Sequence, residues 1–161
     1  MRDLELWKMV EAQFALGVGS IHGPRHWHRV EGFGLSVAVS SGADVRVVRL
    51  FAVFHDSCRR SESFDPGHGA RGADLAMSLR GRGTSLDELD DNGMILLVRA
   101  CQGHTDGDTS PDPTVGTCWD ADRLDLPRAL IWPDLSYLST QGARDLLLNG
   151  YTWSHHRSRC P

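Results

Sequence analysis

Apolar residues recur at intervals of three and four along most of the chain, the spacing that lines one face of an α-helix. Leu4, Trp7, Met9, Val10, Phe14 and Leu16 follow Asp3 and predict an amphipathic helix over 3–17, ended by Gly17 and Gly19. Pro24 suits a first helical turn, and Trp27, Val30, Phe33, Val37 and Ala38 then predict a second helix that stops at the loop SSGAD, despite two internal glycines. Asp44 is a ready N-cap for a third segment, DVRVVRLFAVFHDSC, which becomes apolar on nearly every side and reads as a central, buried helix. A buried strand is the alternative for this segment, but it is long for a strand and its neighbours do not alternate.

Beyond SFDPG the pattern predicts a shorter helix over 67–80 and, after the loop RGRGTS, a helix capped by Ser85 and running to Cys101. HTDGDTSPDP is a loop, Thr114–Leu126 a further helix carrying CWDADRLDL, and 139–149 a last one after a stretch punctuated by Pro127 and Pro133. Strand signals are scarce and no internal repeat occurs. The expected fold class is therefore all-α, a bundle of about six to seven helices. Residues 1–150 are expected to form one domain, with 151–161, SHHRSRCP at their end, as a disordered tail.

Composition narrows the choice of function. A chain of 161 residues with 40% hydrophobic positions suffices for one core of ordinary domain size. The formal net charge is −4 and the basic residues are dispersed, which argues against a nucleic-acid footprint. MRDLELWKMV lacks the basic and apolar regions of a secretory leader, and no run of about 18 apolar residues is present, so a soluble cytoplasmic protein without membrane contact is expected. Cys58, Cys101, Cys118 and Cys160 form no CxxC pair and read as reduced, mostly packed thiols. Eight histidines are many for this length, and their placement carries the chemistry.

Four fragments stand out: HWHRV at 26–30, FHDSCR at 54–59, HGARGA at 68–73 and DADRLD at 120–125. Imidazole and carboxylate are ligands for divalent ions, and helices packed side by side bring together ligands distant in sequence. The doublet His55-Asp56 is the most telling, since its members diverge by about 100° on a helix and can share one ion only near the helix end. A capped or ion-paired His and Asp is the competing account of the doublet alone.

The order His26, His55-Asp56, Asp122, with H-x-x-R-V around the first and A-D-R-L around the last, resembles the HD-domain superfamily of metal-dependent phosphohydrolases over residues 20–126. The resemblance implies an HD helical bundle and makes His26, His55, Asp56 and Asp122 ligands of a divalent ion, whether Mn, Fe, Zn, Ni, Co or Mg. His68 and His104 resemble the two additional histidines of the HD-GYP branch and of HD-type mixed-valent di-iron oxygenases, which hold a second metal. In one-metal members such histidines line the pocket instead. The Gly-Tyr-Pro signature itself is absent, which argues against a cyclic-dinucleotide phosphodiesterase. His22 is expected at the pocket rim or as a cap, His28 at the surface or between helices, and Asp125 behind the ligands. Asp120 is equally well read as a solvated helix acid.

The resemblance implies a small bacterial-type phosphohydrolase acting through a metal-activated water on a phosphorylated small molecule or nucleotide. Asp56 and His104 carry the catalytic roles, Asp56 as a ligand and His104 as a proton relay. Arg59, then Arg29 or Arg71, are the candidates to grip phosphate oxygens with a planar guanidinium. An HD-type di-iron oxygenase using all six ligands, and a non-catalytic metal- or nucleotide-binding sensor, are the alternatives.

Overall fold

Seven α-helices and no strand make up residues 2–149, the part of the chain described by the computed structural model. The predicted all-α bundle is therefore what the sequence folds into; the tail expected to be disordered lies outside the described residues, as does Cys160. No described helix is long and apolar enough to cross a membrane.

Helix α3 (Val45–Phe54) runs through the centre. The Asp44 carboxylate caps it by accepting the Arg46 N–H at 2.9 Å, and every residue of its last turn, Phe51 to Phe54, is buried. Each large apolar side chain so buried contributes about 1.5–3 kcal/mol, which is what anchors the two polar residues just beyond the helix. Helix α2 (Pro24–Ser41) packs along α3 and ends at Gly42, whose φ of 75° supplies the left-handed C-cap that a β-carbon disfavours. Gly34 lets the two helices close, because a β-carbon there would press into the Val48 side chain.

Helices α5 (Asp91–Gly103) and α6 (Pro113–Leu124) complete the layer around α3, and α6 is capped by Asp112, which accepts the N–H groups of Thr114 and Val115 at 2.9 Å each. Helix α4 (His68–Leu79) lies on α5 at unusually close range: a β-carbon on Gly69 would collide with the Cys101 carbonyl, and one on Gly72 with that of Phe54. Helix α7 (Gln141–Leu148) covers α2 and α6.

Two predicted elements differ. Helix α1 is Arg2–Ala12, shorter than 3–17: the Gln13 side chain turns back to donate to the Val10 and Ser57 carbonyls, and Phe14 packs edge-on against Trp27 at 5.2 Å, so 13–22 forms a loop that crosses the end of α3. The helix expected from Ser85 to Cys101 is a 3₁₀ turn at Ser85–Glu88 followed by α5. Asp87 accepts the N–H groups of Gly81 and Gly83 and ties the turn backwards, Ser85 Oγ caps nothing, and Asp90 is the true N-cap through Gly93 N–H at 2.7 Å. Cys101 and Cys118 are fully buried free thiols and Cys58 is half-buried, in keeping with reduced cysteines.

A candidate metal centre

The buried end of α3 delivers His55 as its C-cap and Asp56 just beyond it. His26 comes from the first turn of α2, Asp122 from the last turn of α6, His68 from the first residue of α4 and His104 from the C-cap of α5. All six meet. His26 Nε2 lies 2.9 Å from His55 Nε2, 3.3 Å from Asp122 Oδ1 and 3.6 Å from Asp56 Oδ2; His55 Nε2 lies 3.8 Å from the same two oxygens. On the other side of the carboxylate, Asp56 Oδ1 is 3.0 Å from His68 Nε2 and 3.7 Å from His104 Nε2, which are themselves 2.9 Å apart. Asp56 thus faces two groups of potential ligands, one with each oxygen.

The tautomers are set by the partners. His26 Nδ1–H donates to Asp125 Oδ2 at 2.7 Å, His55 Nδ1–H to the Phe51 and Ala52 carbonyls at 3.1 Å each, His68 Nδ1–H to the Asp65 carbonyl and His104 Nδ1–H to the Cys101 carbonyl, both at 2.7 Å. Carbonyls only accept, so in a neutral ring the Nε2 atom carries a lone pair and no hydrogen. His26 and His55 then point two lone pairs at one another, and Asp122 Oδ1 is a buried acceptor with no hydrogen-bond partner. Ligands held about 2.1 Å from one ion at right angles sit about 3.0 Å apart, so these spacings suit a shared cation. His26, His55 and Asp56 form one group able to hold a metal ion, and Asp56, His68 and His104 another.

Electrostatics point the same way. Burial pushes His55 down to about 3, against the pull of Asp56 and Asp122, so its ring is neutral at ordinary pH. Burial works against ionisation of Asp56 and of Asp122, yet the surrounding imidazoles, and for Asp122 also Arg128, hold both well below the ordinary carboxylate range. His104 is raised although burial opposes it, because Asp56 and Asp122 favour its charged form.

The residues around the ligands sort differently from the sequence expectation. His22 does more than rim the pocket, since its Nδ1 is 2.9 Å from Asp56 Oδ2. Asp125 stands behind His26 as expected and also accepts Arg29 Nε and Nη2 at 2.7 and 3.0 Å, which keeps it ionised despite burial. Arg29 is therefore committed to positioning His26 through Asp125, and Arg71 to Asp65 and the Cys58 carbonyl, so neither presents its guanidinium as a phosphate grip. Arg59 does reach the centre, with Nη1 3.4 Å from Asp56 Oδ1 and 3.2 Å from His68 Nε2. Asp120 is no solvated acid: it is fully buried and accepts Ser139 N–H, Thr140 N–H and the Thr140 hydroxyl at 2.7–2.8 Å, fastening the start of α7 to α6. His28 stacks on Trp7 at 4.2 Å, away from the ligands.

A cavity of about 430 Å³ opens over the centre, reaching His22, Asp56, Arg59, His104 and Asp122. Its lining also includes residues that the sequence reading did not assign to the site: Arg123, within the A-D-R-L motif, and Arg128, Trp132 and Tyr137. For the last three the sequence offers only an apolar pair, Ile131-Trp132, in a stretch between two prolines. Comparison of the chain with protein-family models, with curated proteins and with solved structures finds no match.

Proposed function

We propose that this chain is an HD-type metal-dependent phosphohydrolase that binds two divalent ions, one on His26, His55 and Asp122, one on His68 and His104, with Asp56 shared between them. The observation that carries the reading is the convergence of four imidazole Nε2 atoms and two carboxylates around a cavity lined by arginine. Ions bound there would supply a water of lowered pKa and charge to offset that on a phosphate oxygen. The chain's own residues do the rest. Asp125, itself gripped by Arg29, fixes the His26 ring; backbone carbonyls of α3, α5 and the turn before α4 fix the other three. Arg59, which donates from Nε and Nη2 to the Ser61 and Ser63 carbonyls, steadies Asp56 and His68 through Nη1, and Arg128 beside Asp122 offers guanidinium N–H groups to the non-bridging oxygens of a phosphate ester. The segment 126–137 lines the cavity beside them.

Purified protein reconstituted with Mn, Fe, Zn, Ni, Co or Mg and offered a phosphoester panel should release inorganic phosphate with at least one metal, and Asp122→Ala should abolish release. The six-ligand convergence also favours a second reading, a di-iron oxygenase. Oxygen uptake by the iron form, with no phosphate released by any metal form, would establish that reading in place of the first.

A further inference from the structure

The ligand cluster floors one end of the cavity, and two arginines from beyond the cluster join it there. Arg128 has a buried side chain, only 7% exposed; its Nε donates to the Ile21 carbonyl at 3.0 Å, its Nη2 is 3.8 Å from Asp122 Oδ1, and its Nη1 has no hydrogen-bond partner. Arg123 lies over the Trp119 ring at 5.7 Å and donates from Nη1 to the Tyr137 carbonyl, while its Nη2 likewise has no hydrogen-bond partner. Buried guanidinium N–H groups without an acceptor are costly, and a planar fork of them is the shape that phosphate oxygens complete.

The same lining carries another chemistry beside the arginines. Ile131, Trp132 and Tyr137 line the cavity yet remain 54%, 67% and 52% exposed. Large apolar side chains left open beside a cavity mark a surface that a ligand covers, and aromatic rings favour a flat one. Asp134 Oδ1 accepts the N–H and the hydroxyl of Ser136 at 2.8 and 2.7 Å, which leaves Oδ2 as the acceptor this carboxylate can offer a ligand.

We infer that the cavity takes a phosphate monoester of an aromatic alcohol, the phosphate between Arg123, Arg128 and the ligand cluster and the ring against Trp132 and Tyr137. For turnover this rests on the phosphohydrolase reading; for binding it does not. In the hydrolysis a water oxygen bonds to phosphorus as the bond from phosphorus to the aryl oxygen breaks. One water proton ends on that aryl oxygen and the other stays with the phosphate.

Calorimetry on the metal-reconstituted protein tests the inference without turnover, using phenylphosphonate and methylphosphonate, which cannot be hydrolysed. Phenylphosphonate should bind at least about tenfold more tightly, Trp132→Ala should remove most of that advantage while leaving methylphosphonate unchanged, and Arg128→Gln should weaken both. Equal affinity for the two phosphonates, or a phenyl preference that survives Trp132→Ala, overturns the inference. In parallel, phosphate release is measured from 1-naphthyl phosphate, glycerol phosphate and adenosine monophosphate. Loss specific to naphthyl phosphate in Trp132→Ala is the expected result, and an adenosine monophosphate preference overturns it. If none of the three is hydrolysed, the hydrolase reading fails and the phosphonate affinities still decide the binding inference.

Discussion

His26 and His55 face each other through their Nε2 atoms at 2.9 Å, although each has already given its Nδ1 hydrogen to another acceptor. Two lone pairs this close repel unless a proton or a cation stands between them. The same relationship recurs between His68 and His104, where Arg59 and Asp56 add a donor and a negative charge. Asp56 joins the two pairs, and the division of labour between its oxygens leads to the first expectation.

Elemental analysis of the purified protein should find two divalent ions per chain in the wild type, one in His68→Ala and neither in Asp56→Asn. The Asn side chain keeps the volume of Asp but loses the charge and half the acceptor capacity on which both groups depend. Retention of both ions by Asp56→Asn, with circular dichroism unchanged, would remove Asp56 from the centre.

Metal should also stabilise the fold, because the unfolded chain holds no such cluster. At a free metal concentration a hundredfold above Kd the gain is about 2.7 kcal/mol for each ion bound, and a gain of that size raises the Tm of a chain of this length by roughly 5–10 °C. Differential scanning with and without chelator reads this directly, and an unchanged Tm in a protein that binds metal tightly by calorimetry would contradict it.

Asp125→Asn should weaken metal binding by about 10- to 100-fold while leaving the helix content intact. The amide presents a donor where His26 now finds an acceptor, which favours the tautomer with hydrogen on Nε2. Arg29 loses its anionic partner as well. Competition titration with a metal indicator measures the change, and full affinity in the variant would show that Asp125 serves stability alone.

Asp44 gives a pH-dependent contribution far from the centre. Its carboxyl lies below the ordinary value, mainly through the hydrogen bonds from the Arg46 side chain. With the folded pKa depressed, the stability it adds is complete above the unfolded value near 4 and is lost as pH falls through the folded value. Asp44→Ala should therefore cost about 0.5–2 kcal/mol at neutral pH, and the deficit should shrink on acidification. Urea unfolding of both proteins at pH 7 and near pH 3 gives the comparison; an equal deficit at the two would mean that the charge of Asp44 contributes nothing.

The helical order is legible in the chain because α2, α3, α4 and α6 each bear a strong local cue: Pro24, Asp44, the residues from His68 and the Asp112-Pro113 start. Periodicity misleads at Ser85, where the leucines on either side of Asp87 read as one apolar stripe although Asp87 closes a turn between them. The six converging side chains are all legible as residue types in order, since each sits at or near a helix end. Asp120 is misjudged because its partners, Ser139 and Thr140, lie 19 and 20 residues on and no periodicity connects them. Arg128 and Trp132 escape for the same reason: they sit in a short 3₁₀ turn, Leu126–Ala129, and in the irregular stretch after it, whose path is decided by packing and about which one-dimensional spacing carries nothing.

The close seating of α4 has a consequence for how such a centre is gained or lost. The distance from His68 to Asp56 is set by main-chain atoms meeting at Gly69 and Gly72, not by the choice of side-chain rotamer. Adding one methyl group at either glycine would force the helix outward and carry His68 with it, while His26, His55 and Asp122, held by other helices, stayed where they are. One of the six side chains thus rides on α4 and the other five on the framework around it, so if two ions bind, the place of the second rests on two positions that carry no β-carbon.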